Sequence, residues 1–528
     1  MIKGRKIATI AALGTSTAAL AMLTGLAGAR ADELSDLRVN QQLLSQRIDQ
    51  LAAVGLQPGA GAVFSVNTNP AASAPATAGS FPRSILIPGT DTSLKIYGQV
   101  TEVLDYWMSG GNPNGSPQST TVGDNGQVQA APLNNAGVTK ARSNGIFQQS
   151  PRESKIGFET RTPTPFGEMR TVFEFDWAGS TTFAPAGGNP TAVSDNLVPR
   201  LRYAYGTLGG FLAGQATSNF SDPDANGETL DFGGNVGEPG HVRVPQVRYT
   251  VPVPFGGSFS VSAETPETEL GTGAGVAASD AGVIPTATTT CTIAALGAAT
   301  TCTTALLTSG QLPVNIAKAT APDFTAAWYL PQAWGHLDIS AVIRPGLDVT
   351  DGKFFARDFI GYGGHFGMDF KPGWFGWVKD DFTAHFTLGE AIGNFLNSST
   401  NFSLATNYGA PGMYGSFNGP TTALAAASIV VRPTFEWGSE VGYQHWWADN
   451  LRSNINAGFN QHAIPAALVG AGQAAAMNKT LKTLHANLIW NPVSSMDVGI
   501  EYMWGERTTV NNGHGTENVL ISKFAFRF

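Results

Sequence analysis

The 528-residue sequence has few charged residues and, over most of its length, no long hydrophobic segment. Asp, Glu, Lys and Arg make up only 13% of the residues, and the mean hydropathy is −0.03. Beyond residue 31 no uninterrupted apolar run reaches the roughly 18 residues that a membrane-spanning helix needs, which excludes a helical membrane protein. In a membrane β-barrel, apolar and polar residues alternate along each strand and offset one another in the mean hydropathy, so a β-barrel membrane protein is not excluded.

Cysteine is also scarce, and the motifs of common enzymes are missing. The two cysteines, Cys291 and Cys302, lie in a segment rich in Thr and Ala that contains no histidine, so they do not predict a zinc site. In an exported chain we interpret the pair as a disulfide that closes a loop. The eight histidines occur singly, without an HExxH pair or a GxSxG elbow. We therefore expect no enzymatic activity, no metal and no cofactor.

Residues 1–31 have the pattern of a secretory signal peptide. Lys3, Arg5 and Lys6 form a basic start, a largely apolar stretch follows, and residues 29–31 (Ala-Arg-Ala) fit a cleavage site. A retained helical anchor is the alternative. Cleavage removes four basic residues and lowers the formal net charge from −8 to −12. Because the mature chain is acidic, we expect no nucleic-acid partner.

The next segment, 32–55, predicts a short amphipathic helix. The residues spaced by three or four are Leu34, Leu37, Gln41, Leu44, Ile48 and Leu51. This spacing favours a periplasmic coiled coil between subunits, most simply a homotrimer, and the alternative is a helix packed on its own barrel. The segment 56–84 is rich in Pro, Ala, Gly, Ser and Asn and predicts a flexible linker.

Residues 85–528 predict a succession of strands with alternating polar and apolar residues. The predicted strands are 94–108, 152–161, 168–178, 199–208, 211–217, 242–252, 257–264, 323–330, 336–344, 357–370, 379–390, 439–447, 451–460, 480–490, 496–506 and 517–528. Short turns alternate with long loops between them, as in a transmembrane barrel with periplasmic turns. A chain that enters and leaves on the periplasmic side needs an even number of strands, so we assign the strand-like segment 423–435 to a loop. The expected fold is all-β: a 16-stranded antiparallel transmembrane β-barrel around a water-filled channel.

The last strand has the features of an outer-membrane barrel. One face, expected toward lipid, carries Leu520, Ser522, Phe524, Phe526 and Phe528, and the other carries Ile521, Lys523, Ala525 and Arg527. The terminal Phe528 resembles the insertion signal that the barrel-assembly machinery reads, so this machinery and outer-membrane lipid are expected partners. Aromatic residues beside the short turns predict an interfacial girdle. A strand of a soluble sandwich is the alternative.

Several segments resemble the DcaP-like trimeric porin family. They are residues 81–98, Pro199–Gly206, Gly209–Gln215, Pro245–Tyr249, Tyr443–Trp447 and Leu451–Ser453, together with the preceding helix. The resemblance implies a trimeric sixteen-stranded outer-membrane porin with a periplasmic coiled coil. It also implies a preference for small anionic carboxylates, often aromatic ones. The long loop with Cys291 and Cys302 and the loop 391–438 depart from the family pattern.

Alternation along the strands selects the residues expected to line the pore and choose the solute. These are Arg170, Arg200, Arg202, Arg243, Arg248, Arg344 and Arg452. Inward arginines raise the local concentration of anions and can hold a carboxylate bidentately. The alternative is ordinary lumen lining paired with neighbouring carboxylates. Arg243 and Arg248 differ in parity, so both face the lumen only if a bulge lies near Pro245.

Three further expectations concern side-chain directions and packing. In the strand 199–208, alternation places Tyr203 and Tyr205 toward lipid. The acidic segment 218–240 is expected to fold into the pore opposite the arginines, with a solvated surface loop as the alternative. The glycine-rich run 361–367 lacks the spacing of a nucleotide fingerprint and is expected to pack against a bulky neighbour.

The function that these features favour is an outer-membrane porin for passive diffusion of small solutes, with a preference for anionic and aromatic carboxylates. A structural or adhesive outer-membrane barrel, whose long extracellular loops bind a partner, is the alternative. Liposome swelling separates the two, because a plugged barrel passes no solute.

Overall fold

A computed structural model describes most of the region in which strands are expected. The described residues are 78–111, 144–179, 198–237, 242–254, 256–266, 270–271, 288–292, 301–305, 317–350, 356–396, 404–406, 431–463 and 478–528. The predicted signal peptide (1–31) and coiled-coil helix (32–55) lie outside these residues, as does most of the predicted linker (56–84). Among the described residues no helix is long and apolar enough to cross a bilayer.

Sixteen antiparallel strands form one closed barrel. They are β1 (Ser93–Ser109), β2 (Lys155–Thr164), β3 (Gly167–Gly179), β4 (Val198–Leu208), β5 (Phe211–Thr217), β6 (Arg243–Pro252), β7 (Ser258–Glu264), β8 (Asp323–Gln332), β9 (Gly335–Thr350), β10 (Ala356–Phe370), β11 (Asp381–Glu390), β12 (Phe435–Ala448), β13 (Leu451–Ala463), β14 (Asn478–Val493), β15 (Met496–Thr509) and β16 (His514–Arg527). Each strand pairs with the next along the chain, and β16 pairs with β1. The predicted fold and strand number are confirmed.

Before Phe435, the segment 423–435 lies outside the barrel wall in the part that the structure describes, which confirms its assignment to a loop. Val431–Pro433 forms a short strand that pairs with Leu404–Thr406 in a separate small sheet. The barrel strand β12 begins only at Phe435. The chain therefore reaches the C-terminus on the side of the short turns, where the Phe528 backbone exchanges hydrogen bonds with Gly98 of β1 at 3.1 and 3.2 Å.

The two faces of the strands differ in polarity as alternation predicts. On β16, Phe524 and Phe526 are exposed on the outer face, whereas Ile521 and Ala525 are buried inside. The aromatic residues Phe166, Trp374, Trp377 and Trp490, beside the short turns, are exposed, as expected of a girdle. An apolar outer belt and a polar interior are what a barrel in a lipid bilayer requires.

A β-bulge in β4 changes the direction of two tyrosines. Leu201 pairs with Phe175, but Tyr203 pairs with Glu174, so Arg202 is an extra residue between them. Directly paired residues share a face, and Glu174 is buried inside the barrel. Tyr203 therefore faces the lumen, and the prediction that it faces lipid is wrong. The same shift turns Tyr205, which pairs with the inward Val172, toward the lumen.

The last residues of the predicted linker contact the barrel. Ala78 bridges to Ile85, and the strand Ile85–Leu86 pairs with the start of β1. The Ser80 amide donates to Ser93 Oγ at 2.8 Å, and Cζ of Arg161 lies 4.5 Å from the centroid of the Phe81 ring. Residues 78–84, the last part of the predicted linker, therefore pack against β1 and β2, and the linker itself stays a prediction.

The two cysteines lie in a hairpin of a long loop. Thr288–Thr292 pairs antiparallel with Thr301–Ala305, and the register sets Cys291 directly opposite Cys302. Directly opposed residues of antiparallel strands have Cα atoms about 4.5–5.5 Å apart, a separation that a disulfide can span. The disulfide remains a prediction.

Candidate functional site in the barrel lumen

Residues 218–237, in the connection between β5 and β6, fold into the lumen, and we call them the inner loop. They form hydrogen bonds with inward side chains on strands between β7 and β16. For these residues the expectation that the acidic segment enters the pore is confirmed. The loop narrows a barrel that would otherwise be an open cylinder.

The first residues of the inner loop are fixed to β7 and β9. The Asn219 amide donates to Glu264 Oε1 at 2.8 Å, and the Asp222 carboxylate is hydrogen-bonded to His336 Nε2 at 2.7 Å. Phe220 is fully buried, with its ring centroid 5.1 Å from that of Phe395. Phe395 belongs to residues 391–396, which begin the long loop after β11 and also turn inward; we call them the second inner segment.

The glycine-rich run of β10 makes room for both of these inward segments. A Cβ atom built on Gly363 would lie 2.9 Å from Ile392 and 3.1 Å from Phe220, and one on Gly367 would lie 2.5 Å from the Asp222 carboxylate. The expectation that this run packs against a bulky neighbour is confirmed. Only glycine leaves space for a second layer of chain against the barrel wall at these positions.

The middle of the inner loop is fixed to β12–β15. Arg452 donates from Nη2 to Glu228 Oε1 at 2.5 Å and from Nε to Glu228 Oε2 at 2.7 Å. The Leu230 amide donates to Glu501 at 2.7 Å, and the side chains of Leu230 and Val236 pack in an apolar cluster on the inner wall. This combination of ion pairs and buried apolar contacts holds the loop in one position.

Basic side chains concentrate on the opposite wall, and we call this set the basic wall. Its members are Lys155, Arg170, Arg200, Arg202, Arg243 and Arg248, on strands β2–β6. Most of its charges are paired. Arg170 donates to Glu159 at 2.8 Å, and Arg200 and Arg202 both donate to Asp176. The alternative of arginines paired with inward carboxylates therefore applies to these three arginines of the basic wall, although their side chains remain 38%, 40% and 14% exposed in that order.

Arg248 differs from these, because its hydrogen bonds are to neutral acceptors. Its Nε donates to Gln246 Oε1 at 2.8 Å and its Nη2 donates to the Thr217 carbonyl at 2.5 Å. Arg243, at the first residue of β6, has its Cζ 5.1 Å from the centroid of the inward Tyr203 ring. β6 pairs with β5 and β7 without a register shift, so the bulge that would give Arg243 and Arg248 the same parity is absent. Arg248 shares the parity of the buried Gln246, whereas Arg243, of opposite parity, contacts Tyr203 from the first residue of the strand.

Arg344 is not exposed to solutes, and its prediction as a pore-lining residue needs correction. Its inward-facing side chain is 0% exposed because the second inner segment covers it. Nε donates to Asp323 at 3.0 Å and Nη1 donates to the Ala391 carbonyl at 2.5 Å. Arg452 is likewise 7% exposed beneath Glu228 of the inner loop. Both arginines hold inward segments in place.

Carboxylates concentrate across the lumen from the basic wall. The acidic residues of the inner loop and the strands behind it include Asp222, Asp224, Glu228, Glu440 and Glu501. Glu440 lies on β12, eight strands from β4 in a barrel of sixteen, so this carboxylate faces the basic wall across the pore. Separated rows of opposite charge produce an electric field across the passage.

The contact between Asp222 and His336 leads us to expect that the position of the inner loop is sensitive to acid. Burial raises the pKa of the Asp222 carboxyl, but the hydrogen bond and the electrostatic interaction with His336 outweigh it, and the pKa lies below its ordinary value of 3.8. A lowered carboxyl pKa stabilises the folded form above pH 3.8, and this contribution is lost as the pH falls through the lowered value.

We therefore expect that channel conductance changes when the pH falls below 3.8 and that Asp222→Asn shows this altered conductance already at neutral pH. Single-channel recording across an acid titration measures both. Asp224→Asn, an exposed carboxylate two residues away, is the matched control. An acid response that Asp222→Asn shares unchanged with the unmodified protein contradicts this assignment.

Comparison with known proteins agrees with this architecture. Residues 85–520 match the family model described as the porin subfamily. Among solved structures, the outer membrane channel DcaP of Acinetobacter baumannii is 20% identical, with a TM-score of 0.58 over 86% of this chain and 100% of that one. The anion-selective porin from Comamonas acidovorans is 8% identical over 83% of this chain and 100% of that one, with a TM-score of 0.45. No curated protein sequence matches the chain.

The family match covers most of the chain, and the DcaP structure shares its barrel fold. In a chain that matches this family, a closed barrel with an apolar outer belt and a polar, loop-constricted lumen is an outer-membrane channel. The chain belongs to the porin subfamily.

Proposed function

We propose that this porin passes small solutes by diffusion and favours anions, in particular small aromatic carboxylates. The observation that carries the proposal is the separation of charge across the lumen, with the basic wall on β2–β6 facing the carboxylates of the inner loop. A solute crossing the constriction passes along the basic wall, where its carboxylate meets partly exposed guanidinium groups. The inward Tyr203 lies beside Arg243, and with the inward Tyr205 it adds aromatic surface to this side of the lumen, which suits an aromatic carboxylate.

The proposed assembly is a homotrimer in the outer membrane. The predicted heptads of residues 32–55 and the resemblance to trimeric porins support it. In this arrangement the helices lie in the periplasm, and Phe528 directs insertion through the barrel-assembly machinery. Chemical crosslinking of the purified protein, with and without residues 32–55, tests the contribution of the helix.

Arg248 offers a direct test of the anion preference, since it donates its hydrogen bonds to neutral acceptors and not to a carboxylate. A unit charge about 5 Å from a passing ion is worth about 0.8 kcal/mol in water, which changes the permeability of an anion about fourfold and that of a cation about fourfold in the opposite direction, or their ratio about 16-fold. We therefore expect Arg248→Gln to lower the anion-to-cation permeability ratio by about that factor. Reversal potentials in planar bilayers under a salt gradient measure the ratio.

Arg357→Gln is the control, because it removes the same charge from an exposed extracellular end of β10. Arg200→Ala with Arg202→Ala should lower the ratio further. A cation preference that none of these lumen substitutions affects contradicts the proposal.

A further inference from the structure

The tip of the inner loop carries Phe232, which places an aromatic ring beside the basic wall. The centroid of the Phe232 ring lies 5.4 Å from Cζ of Arg200 and 5.6 Å from Cζ of Arg152. Both distances are in the range in which a guanidinium is attracted to an aromatic ring. The contact joins the loop to the wall that faces it.

The residues on either side of Phe232 are held independently of these arginines. The Leu230 amide donates to Glu501 at 2.7 Å, and the Asn235 side chain donates to Glu440 at 2.8 Å. Leu230 is also buried in the apolar cluster on the inner wall. The loop therefore fixes the ring, and the ring does not merely follow the arginine side chains.

Arg200 is held from two sides as a result. Its Nε and Nη2 donate to the two oxygens of Asp176 at 3.0 and 2.5 Å, while the Phe232 ring lies near the guanidinium carbon. The Arg200 side chain is nevertheless 40% exposed, and Phe232 is half-buried. A solute that passes between the inner loop and the basic wall passes beside this pair.

We propose that Phe232 is a specificity-determining residue of the channel. It narrows the passage between the inner loop and the basic wall, and it positions the guanidinium of Arg200 at the edge of that passage. The inference rests on the proposed function for the sign of the preferred charge, whereas the narrowing depends only on the geometry.

Three substitutions separate narrowing from positioning. Phe232→Ala removes both the volume and the aromatic face, Phe232→Leu keeps most of the volume, and Phe232→Tyr keeps both. We expect Phe232→Ala to raise single-channel conductance and to lower the anion-to-cation permeability ratio about two- to fivefold, the range of a cation–aromatic interaction. Phe232→Leu should lower the ratio with little change in conductance, and Phe232→Tyr should match the unmodified channel.

Phe173→Ala is the matched control, because this exposed phenylalanine lies on the outer face of β3. Conductance of Phe232→Ala that equals that of Phe173→Ala overturns the narrowing role. A permeability ratio that Phe232→Leu leaves unchanged overturns the positioning role. If the unmodified channel prefers cations, the proposed anion preference fails, while a conductance rise confined to Phe232→Ala still supports the narrowing role.

Discussion

Replacing Arg344 with methionine is expected to lower the free energy of unfolding by about 3–5 kcal/mol, the usual cost of removing one partner of a buried ion pair. The substitution leaves the Asp323 carboxylate buried at 1% exposure without the guanidinium that neutralises it. It also removes the donor to the Ala391 carbonyl, which fixes the second inner segment. Urea-induced unfolding in detergent micelles, followed by circular dichroism, measures the change.

A control substitution and a double substitution test whether loss of the buried ion pair causes the destabilisation. Arg357→Met, at an exposed position of β10, should change the free energy of unfolding by no more than about 0.5 kcal/mol. The double substitution Arg344→Met with Asp323→Leu removes both charges and should recover most of the loss, since apolar replacements of buried ion pairs are often neutral. Equal destabilisation by the single and double variants contradicts the ion-pair explanation.

The second large effect is expected from Gly363→Val, which should displace the inner loop and raise conductance. The new side chain occupies the space of Ile392 and Phe220, whose atoms lie 2.9 and 3.1 Å from the ideal Cβ position. Overpacking of this kind costs about 1–3 kcal/mol, so the inward segments are expected to move away from β10. A displaced loop opens the passage that it narrows, which single-channel recording measures.

Gly364→Val is the control, because the neighbouring glycine has no atom within 4 Å of its ideal Cβ position. It adds the same side chain to the same strand without touching either inward segment. Unchanged conductance in folded Gly363→Val, or an equal rise in Gly364→Val, would show that contacts with β10 do not hold the inner loop in place.

The barrel could be predicted from the sequence because its signals are local. Alternation along β16 separates the exposed Phe524 and Phe526 from the buried Ile521 and Ala525, and each depends only on its neighbours in the strand. The order of short turns and long loops, together with the even strand number, could be predicted from the sequence in the same way. This explains why the assignment of the segment 423–435 to a loop agrees with the described residues.

The directions of Tyr203 and Tyr205 could not be predicted from alternation. A single extra residue at Arg202 reverses the direction, toward lipid or toward the lumen, of the side chains that follow it in β4. The bulge arises from the way β4 pairs with the neighbouring strand β3, so no pattern within β4 marks its position. Near Pro245, where the parities of Arg243 and Arg248 conflict, the strand has no bulge.

The roles of the arginines also depended on distant contacts. Arg200 and Arg344 both have inward parity, yet one is partly exposed in the lumen and the other is covered by the second inner segment. The difference arises from Ala391 and Phe395, which are far along the chain from Arg344 and become neighbours only in the folded barrel.

By itself, the sequence determined that this chain is a sixteen-stranded barrel with a polar interior, because side-chain period and turn length act within a few residues. Tertiary structure alone decided how wide the passage is and which charges a solute meets. Those properties depend on where the inner loop docks, and its anchors, such as Glu228 with Arg452, join residues more than two hundred positions apart.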